Sequence, residues 1–305
     1  MKIAILVMAT KNNPSTRNVE AFNNTVVDYY IHNKDSFVND FFFIFYYAGE
    51  KYEIKNENDT VYHISYDIDE SVYRTFEKTV LALKDVKNII KPDLYIRTNI
   101  STYINIKLID LLANDVLKSG KLYCNKINNH HNIASPYFND VYPRGDFMMF
   151  NEHVTECVIV SGEKHMFSNT NLNYIDIGVD HVDDCLIGVC MKDYMGDEYY
   201  KCIDTLKYNY IPQQKPDYTH LDTYAIATRL KTVPDGECSG YSWDDNNYRV
   251  FDVDKFYDVH ENVKDICYNN LTLETCIVPK RYQVTSCQFI ILSESDYEIY
   301  KKAVK

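Results

Sequence analysis

Apolar positions along the first half of the chain alternate between two periods. Lys2–Met8 reads KIAILVM, a nearly continuous apolar run of the kind a strand buried on both faces requires. Asp40–Tyr47 (DFFFIFYY) reads as the second central strand, Val61–Tyr66 as the third, and Lys91-Pro92 opens a further strand over Asp93–Thr98. Between them the period changes. The loop Asn12-Asn13-Pro14-Ser15-Thr16 leads into a predicted helix ending near Tyr30. From Ser71 to Lys87, Phe76, Val80 and Leu83 recur at four and three residues, which is one helical face, and Ile104, Leu108, Leu111, Leu112 and Val116 mark another. This alternation predicts an α/β fold with a mostly parallel central sheet flanked by helices. Ligands of such sheets collect at the carboxyl ends of strands, where Thr10-Lys11, Asp67 to Asp69, and Arg97, Asn99 and Ser101 fall.

Later segments carry weaker signals. Residues 124–145 are polar, include Asn128-Asn129-His130-His131, and read as a loop over a cleft. Without nearby Cys or a second acidic cluster, the two histidines read as ordinary loop residues rather than metal ligands. Phe147–Phe150 precedes a short helix to about Val160, and a strand at Tyr174–Ile177 delivers His181 and Asp183-Asp184. Pro212–Thr219 is linker-like, Tyr224–Thr232 reads as a strand, and Asp235–Asn247 as a polar loop. Asp252–Val263 and Glu294–Ala303 read as helices and Ser286–Leu292 as a late strand. With no repeat and no break in composition, the expectation is one domain, 1–305, with a C-terminal extension from 211.

Composition narrows the chemistry. In 305 residues, 46% hydrophobic content is ample for a core, and a net charge of -12 repels nucleic acid. Nine glycines occur without Gly-x-Gly or a P-loop pattern, so bound phosphates must be held by side chains and strand-end loops. The nine cysteines contain no Cys-x-x-Cys and lie mostly in apolar stretches, which suits reduced core thiols. No apolar span of membrane length is present, the longest such run being Phe41–Ala48. The 28 tyrosines suit sugar rings, and equally reflect a bias toward Tyr, Asn, Lys and Ile codons.

The most pointed motif is Asp183-Asp184, opening an apolar run with Gly188 four residues after the second acid. One carboxylate there can face a pocket as a general base, or the pair can simply cap a helix against its dipole. Together with the ordered motifs before it, the chain resembles inverting glycosyltransferases of the β-1,3-galactosyltransferase and fringe superfamily. The matching pieces are Lys2–Met8 running into Ala9-Thr10-Lys11, Arg17 and Thr25, Asp67 to Arg74 followed by Lys78-Thr79, Pro92 to Thr98, Tyr142 to Phe150, and Asp183-Asp184.

The resemblance implies a GT-A-like, Rossmann-like fold. Residues 1–120 would form the nucleotide-sugar half and 121–210 the acceptor and catalytic half. It implies a nucleotide-sugar donor of UDP type and a glycan or glycoconjugate acceptor, with Asp184 as the base and Asp183 orienting it. Donor contacts would come from Ala9, Thr10, Lys11, Arg17, Asp67, Lys78, Arg97, Asn99, Ser101 and Arg229, with Lys231 a further candidate. Acceptor contacts would come from Tyr142, Arg144, Gly145 and Asp146. Animal members of the superfamily carry a membrane anchor, so this chain is expected to be a cytoplasmic enzyme or an excised domain. One departure stands out. Where the family has an acidic metal-binding triplet this chain has Asn99-Ile100-Ser101, whose neutral oxygens compete weakly with water for a divalent cation. A metal-independent transferase is expected, the leaving-group charge being offset by cations, foremost Arg97, which is costly in an apolar strand end unless paired. Asp67-Ile68-Asp69 is the other metal-type pattern, and is read here as donor support. The alternatives are a non-catalytic nucleotide- or sugar-binding protein and an acidic interaction protein.

Overall fold

A computed structural model describes residues 1–11, 13–70, 74–125, 127–129, 141–166, 182–232, 250–278, 284–285 and 288–289. The expected strands at 174–177 and the helix at 294–303, with His130, His131, His181 and the loop 235–247, lie outside them.

The main sheet has the spatial order β11 (Ile203–Thr205), β7 (Leu122–Cys124), β10 (Phe147–Asn151), β5 (Leu94–Asn99), β1 (Lys2–Met8), β2 (Asp40–Gly49), β4 (Val61–Asp67), β3 (Glu53–Asn56). Only β10 and β3 run against the rest. The four central parallel strands are the four strands expected from the sequence, and β1 and β2 are its most continuous apolar runs because strands covered on both faces have no polar face to show. Along β1 the side chains alternate between two cores. Ile3, Ile5 and Val7 pack with α1 (Asn13–Phe22), α4 (Ile106–Ser119) and α7 (Val250–Val263). Ala4 and Leu6 pack with α3 (Thr75–Ile89), α5 (Glu152–Gly162) and α6 (Val182–Met195). Each fully buried Ile, Leu or Phe contributes roughly 1.5–3 kcal/mol of transfer free energy, so these two layers fix which face each strand residue takes. An α/β sheet between helices is the architecture the sequence pattern predicts.

Local chemistry sets the element ends. Asn105 caps α4 by accepting from the Leu108 amide at 3.3 Å, and Gly120 ends that helix at φ 68°, where a side chain would be strained. Asn151 caps α5 by accepting from Val154 at 3.2 Å. The helix expected to reach Tyr30 is interrupted by a π-helical turn at Asn23–Val27 before α2 (Asp28–His32) resumes. Within it the buried Thr25 hydroxyl donates to the Ala21 carbonyl at 2.7 Å, the type of back-bond that loosens a helix ladder.

The strand expected at Tyr224–Thr232 is shorter. It is β13 (Ala227–Arg229), which lies between β12 (Tyr208–Tyr210) and β6 (Thr102–Ile104) in a small three-stranded sheet. The Ala225 amide turns back to Asp222 on one side, and the Leu230 amide leaves for Ser101 on the other, so the ladder stops at three residues. The late strand is a short pair, β14 (Val284–Thr285) with β15 (Gln288–Phe289). Leu206, Ile226, Leu230, Phe256 and Val259 belong to the same core as Ile3, so the C-terminal third packs on the main sheet. Among the described residues no helix is long and apolar enough to cross a membrane.

The attachment of α7 is polar as well as apolar. Buried Lys255 donates to the Ile211 carbonyl at 2.8 Å, the Leu230 carbonyl at 3.3 Å and the Thr232 hydroxyl at 2.7 Å. Buried Asp252 accepts from the Thr232 amide at 2.8 Å. Lys255→Met keeps most of the volume but removes three donors, leaving buried acceptors unmatched. Urea denaturation is expected to show a loss of about 3 kcal/mol.

Candidate active site

Strands β1, β2 and β4 succeed one another outward in one direction, whereas β5 lies on the other side of β1. The chain therefore reverses its winding between β1 and β5, and a crevice opens beyond their carboxyl ends. Arg97 lies on β5 opposite Leu6, is 0% exposed, and donates from Nη2 to Met8 Sδ at 3.4 Å across this switch point. Because β10 is antiparallel to β5, the residues before it, Arg144-Gly145-Asp146, reach the same edge. The Asp146 carbonyl accepts from the Thr98 hydroxyl at 2.9 Å and from the Asn99 amide at 3.4 Å.

Asp146 is the hub of a charged cluster. Its carboxylate meets Arg144 Nε at 2.8 Å, Arg229 Nε at 3.4 Å and the Asn125 side-chain amide at 3.3 Å. Burial opposes ionisation, but Arg144, Arg229, the Asn125 amide and Arg97 outweigh it and hold Asp146 well below the usual carboxylate range. Asp146 in turn is the main reason the Arg144 guanidinium holds its proton more tightly than usual. Arg229 also donates to the Thr102 hydroxyl at 3.2 Å.

Asp184 joins this cluster through Gly145. The Gly145 amide donates to Asp184 Oδ2 at 3.1 Å, and the Cys185 amide to Oδ1 at 3.1 Å. A Cβ on Gly145 would lie 2.9 Å from Arg97 Nη1 and 3.4 Å from Asp184 Cβ, so only glycine lets the turn sit between them. Gly188, one helical turn further on, has a related reason. A Cβ there would lie 2.8 Å from Tyr142 Cβ, which places buried Tyr142 as a backing for α6 rather than at an open surface. Of Asp183 only the backbone, on α6, is described.

A cleft of about 610 Å³ adjoins this edge, lined by Thr10, Lys11, Asp67, Asp69, Glu70 and Arg74 among others. Gly49 gives Lys11 its room, since a Cβ there would be 2.8 Å from Nζ. A second cleft of about 720 Å³ shares Thr10 and Lys11 and includes His63. His63 Nδ1 lies 3.1 Å from the Tyr47 hydroxyl, and burial lowers its proton affinity against the opposing pull of Glu57.

Other residues predicted for the donor side sit differently. Ala9 is buried and its carbonyl accepts from Lys78 Nζ at 3.3 Å. Lys78 is itself buried and paired with Glu70 at 2.8 Å, so it supports the cleft floor instead of projecting into it. Arg17 is exposed on α1 and lines neither cleft. Ser101 is buried, its carbonyl accepting from the Leu230 amide at 2.9 Å. Asn99 Oδ1 is buried without a hydrogen-bond partner among the described residues. Arg229 lies with the Asp146 cluster, and Lys231 follows it beyond the end of β13.

The donor set at Asn99 and Ser101 does not fit a divalent cation, for it holds no carboxylate. Asp69 is bound to Arg74 at 3.1 Å and Glu70 to Lys78. Among the described residues no three His, Cys, Asp or Glu side chains converge as a ligand set. Burial pushes the Cys157 thiol up to about 11 and Cys190 higher still, so these two stay protonated. Sequence reasoning missed Asn125, Glu70 and Arg74. Glu70 adjoins the Asp67-Ile68-Asp69 motif and was findable as a partner for Lys78, whereas Asn125 sits in a stretch with no periodic signal.

No protein-family model matches the chain, and no curated protein matches it in sequence. Among solved structures it is similar to a glycosyltransferase involved in the glycosylation of the major capsid of PBCV-1. The TM-score is 0.45 at 6% identity, over 84% of this chain and 99% of that one. It is also similar to the galactosyltransferase LgtC in complex with donor and acceptor sugar analogues. There the TM-score is 0.44 at 11% identity, over 87% of this chain and 97% of that one. Likeness this remote concerns the path of the chain and not its chemistry.

Asp146→Asn removes the shared counter-ion of Arg144 and Arg229. At pH 7 chemical denaturation is expected to show a loss of about 3–5 kcal/mol. The native carboxylate is depressed below its ordinary 3.8, so its stabilisation is complete above that pH and is lost as pH falls through the lower native value. The gap between wild type and variant should thus hold from pH 7 to 5 and narrow only below about 4.

Proposed function

We propose that the chain transfers a sugar from a nucleotide-sugar donor to a hydroxyl of a glycan or glycoconjugate, with inversion and with Asp184 as general base. The observation that carries this reading is the convergence of Arg97, Arg144, Gly145, Asp146 and Asp184 at the sheet's switch point, beside a cleft lined by Thr10, Lys11 and Asp67. These are the residues whose motifs make up the resemblance to inverting glycosyltransferases. Segments distant in sequence meet where a strand-end ligand is expected.

In the proposed reaction the acceptor oxygen attacks the anomeric carbon while its proton passes to Asp184. The bond from that carbon to the phosphate oxygen breaks, and the nucleoside diphosphate departs with the electron pair. One backbone amide on each Asp184 oxygen, from Gly145 and from Cys185, fixes the orientation of the carboxylate. Arg144, whose side chain is 35% exposed, would reach the acceptor, and exposed Lys11 in the cleft is the cation placed toward the departing phosphates. Arg97 is fully buried and acts from beneath, by its field and by fixing Gly145. The nucleoside would lie along Thr10, Lys11 and Asp67, with uridine the base that the family resemblance implies. Asp183 would orient the acceptor, and Lys78, Asn99 and Ser101 would support the donor indirectly. No step is routed through a metal.

A second reading has its own motivation. The neutral Asn99-Ile100-Ser101 also suits a protein that binds a nucleotide sugar without turning it over. Asp184→Asn tests the two together. Under the transferase reading kcat falls at least about 100-fold while UDP affinity measured by calorimetry is kept, and EDTA leaves the wild-type rate unchanged. Proton NMR of the product gives the anomer. An active Asn variant would remove Asp184 as the base, a retained anomer would remove inversion, and UDP-sugar binding with no product would select the second reading.

A further inference from the structure

Two tyrosines flank the charged cluster and take no part in the chemistry above. Tyr208 and Tyr210 occupy alternate positions of β12, so they leave the strand on one face. Asn209 between them is tied elsewhere, to the Asp222 carbonyl at 3.0 Å and the Thr228 hydroxyl at 3.3 Å. The parallel register of β12 with β13 sets Tyr210 opposite Arg229, whose guanidinium is 3.4 Å from Asp146. Both tyrosines lie within electrostatic reach of Arg144 and Asp146.

Neither ring belongs to a hydrophobic core or pairs with another ring among the described residues. Neither hydroxyl is hydrogen-bonded to a described residue, and Tyr210 remains 43% exposed. A tyrosine kept for packing would turn its ring into a core and find its hydroxyl a partner. Burial raises the proton affinity of both phenols, so both stay hydrogen-bond donors at neutral pH. Arg144 adds directed donors but little net charge, since Asp146 neutralises it at 2.8 Å. Rings with free hydroxyls beside a neutralised guanidinium match the needs of an uncharged sugar. Its C–H face packs on an aromatic ring, and its hydroxyls take up directed donors.

We propose that Tyr208 and Tyr210 form a platform for a neutral pyranose of the acceptor, with Tyr210 beneath the ring and Tyr208 and Arg144 binding its hydroxyls. This rests on the transferase reading and extends it by naming the acceptor side and its chemical class.

The test uses binding and not turnover. Saturation-transfer NMR of the full chain with a panel of neutral methyl glycosides and one glycuronide gives acceptor-side affinity, while calorimetry with UDP gives the donor side. Expected are binding of at least one neutral glycoside, weakened about tenfold in Tyr210→Ala and less in Tyr210→Phe, with UDP affinity unchanged in both. The Phe variant keeps the ring, so it separates loss of the platform from loss of the fold. Equal glycoside binding by wild type and Tyr210→Ala overturns the proposal, as does preference for the glycuronide. Loss of UDP affinity in Tyr210→Ala overturns it too, assigning the ring to the donor. UDP binding by wild type with no glycoside binding overturns the platform alone, and absence of both overturns the transferase reading with it.

Discussion

One buried carboxylate makes this edge of the sheet possible. Arg97, Arg144 and Arg229 are gathered around Asp146, and a guanidinium withdrawn from water without a counter-ion costs several kcal/mol. Asp146 supplies that counter-ion to Arg144 and Arg229, and its field reaches Arg97. Its own carbonyl ties the start of β10 to the end of β5. Fold and site are thus coupled at one residue. The Gly145 amide donates to Asp184 from the position next to this anchor.

The same logic separates residues that carry charge toward a ligand from those that spend it internally. Lys11 remains exposed at the cleft, while buried Lys78 is paired with the more exposed Glu70. Arg74 is similarly engaged by Asp69. A cation's presence in a motif says little about its availability, which depends on the carboxylates the fold brings beside it.

Much of the frame was legible in the sequence. The short apolar runs at Lys2 and Asp40, bounded by polar loops, read as strands of a doubly covered sheet, and Val61 and Leu94 open the strands beside them. Arg97 stood out because it interrupts a strand, and Asp183-Asp184 because an acidic pair opens an apolar run with a glycine four residues on; a Cβ at that glycine would meet the Tyr199 hydroxyl and Tyr142 Cβ. The small sheet of β6, β12 and β13 was not legible as a sheet, since three-residue strands have no measurable period and their partners are remote in sequence. For the same reason Asn125 passed unnoticed. The π-helical turn contains a threonine back-bond that the helical pattern cannot distinguish from an ordinary helix. Tyr208-Asn209-Tyr210 offered its alternation openly, and was lost among the 28 tyrosines.

The reversed direction of β10 has a topological consequence. Strand β7 exits and β10 enters at the same edge of the sheet, so the chain joining them leaves the rim of the site and returns to it. That excursion is closed at its base by pairing of β8 (Ile127–Asn129) with β9 (Val141–Pro143). The second strand of that pair runs directly into Arg144, Gly145 and Asp146, so its pairing sets the direction from which this turn enters the rim of the site.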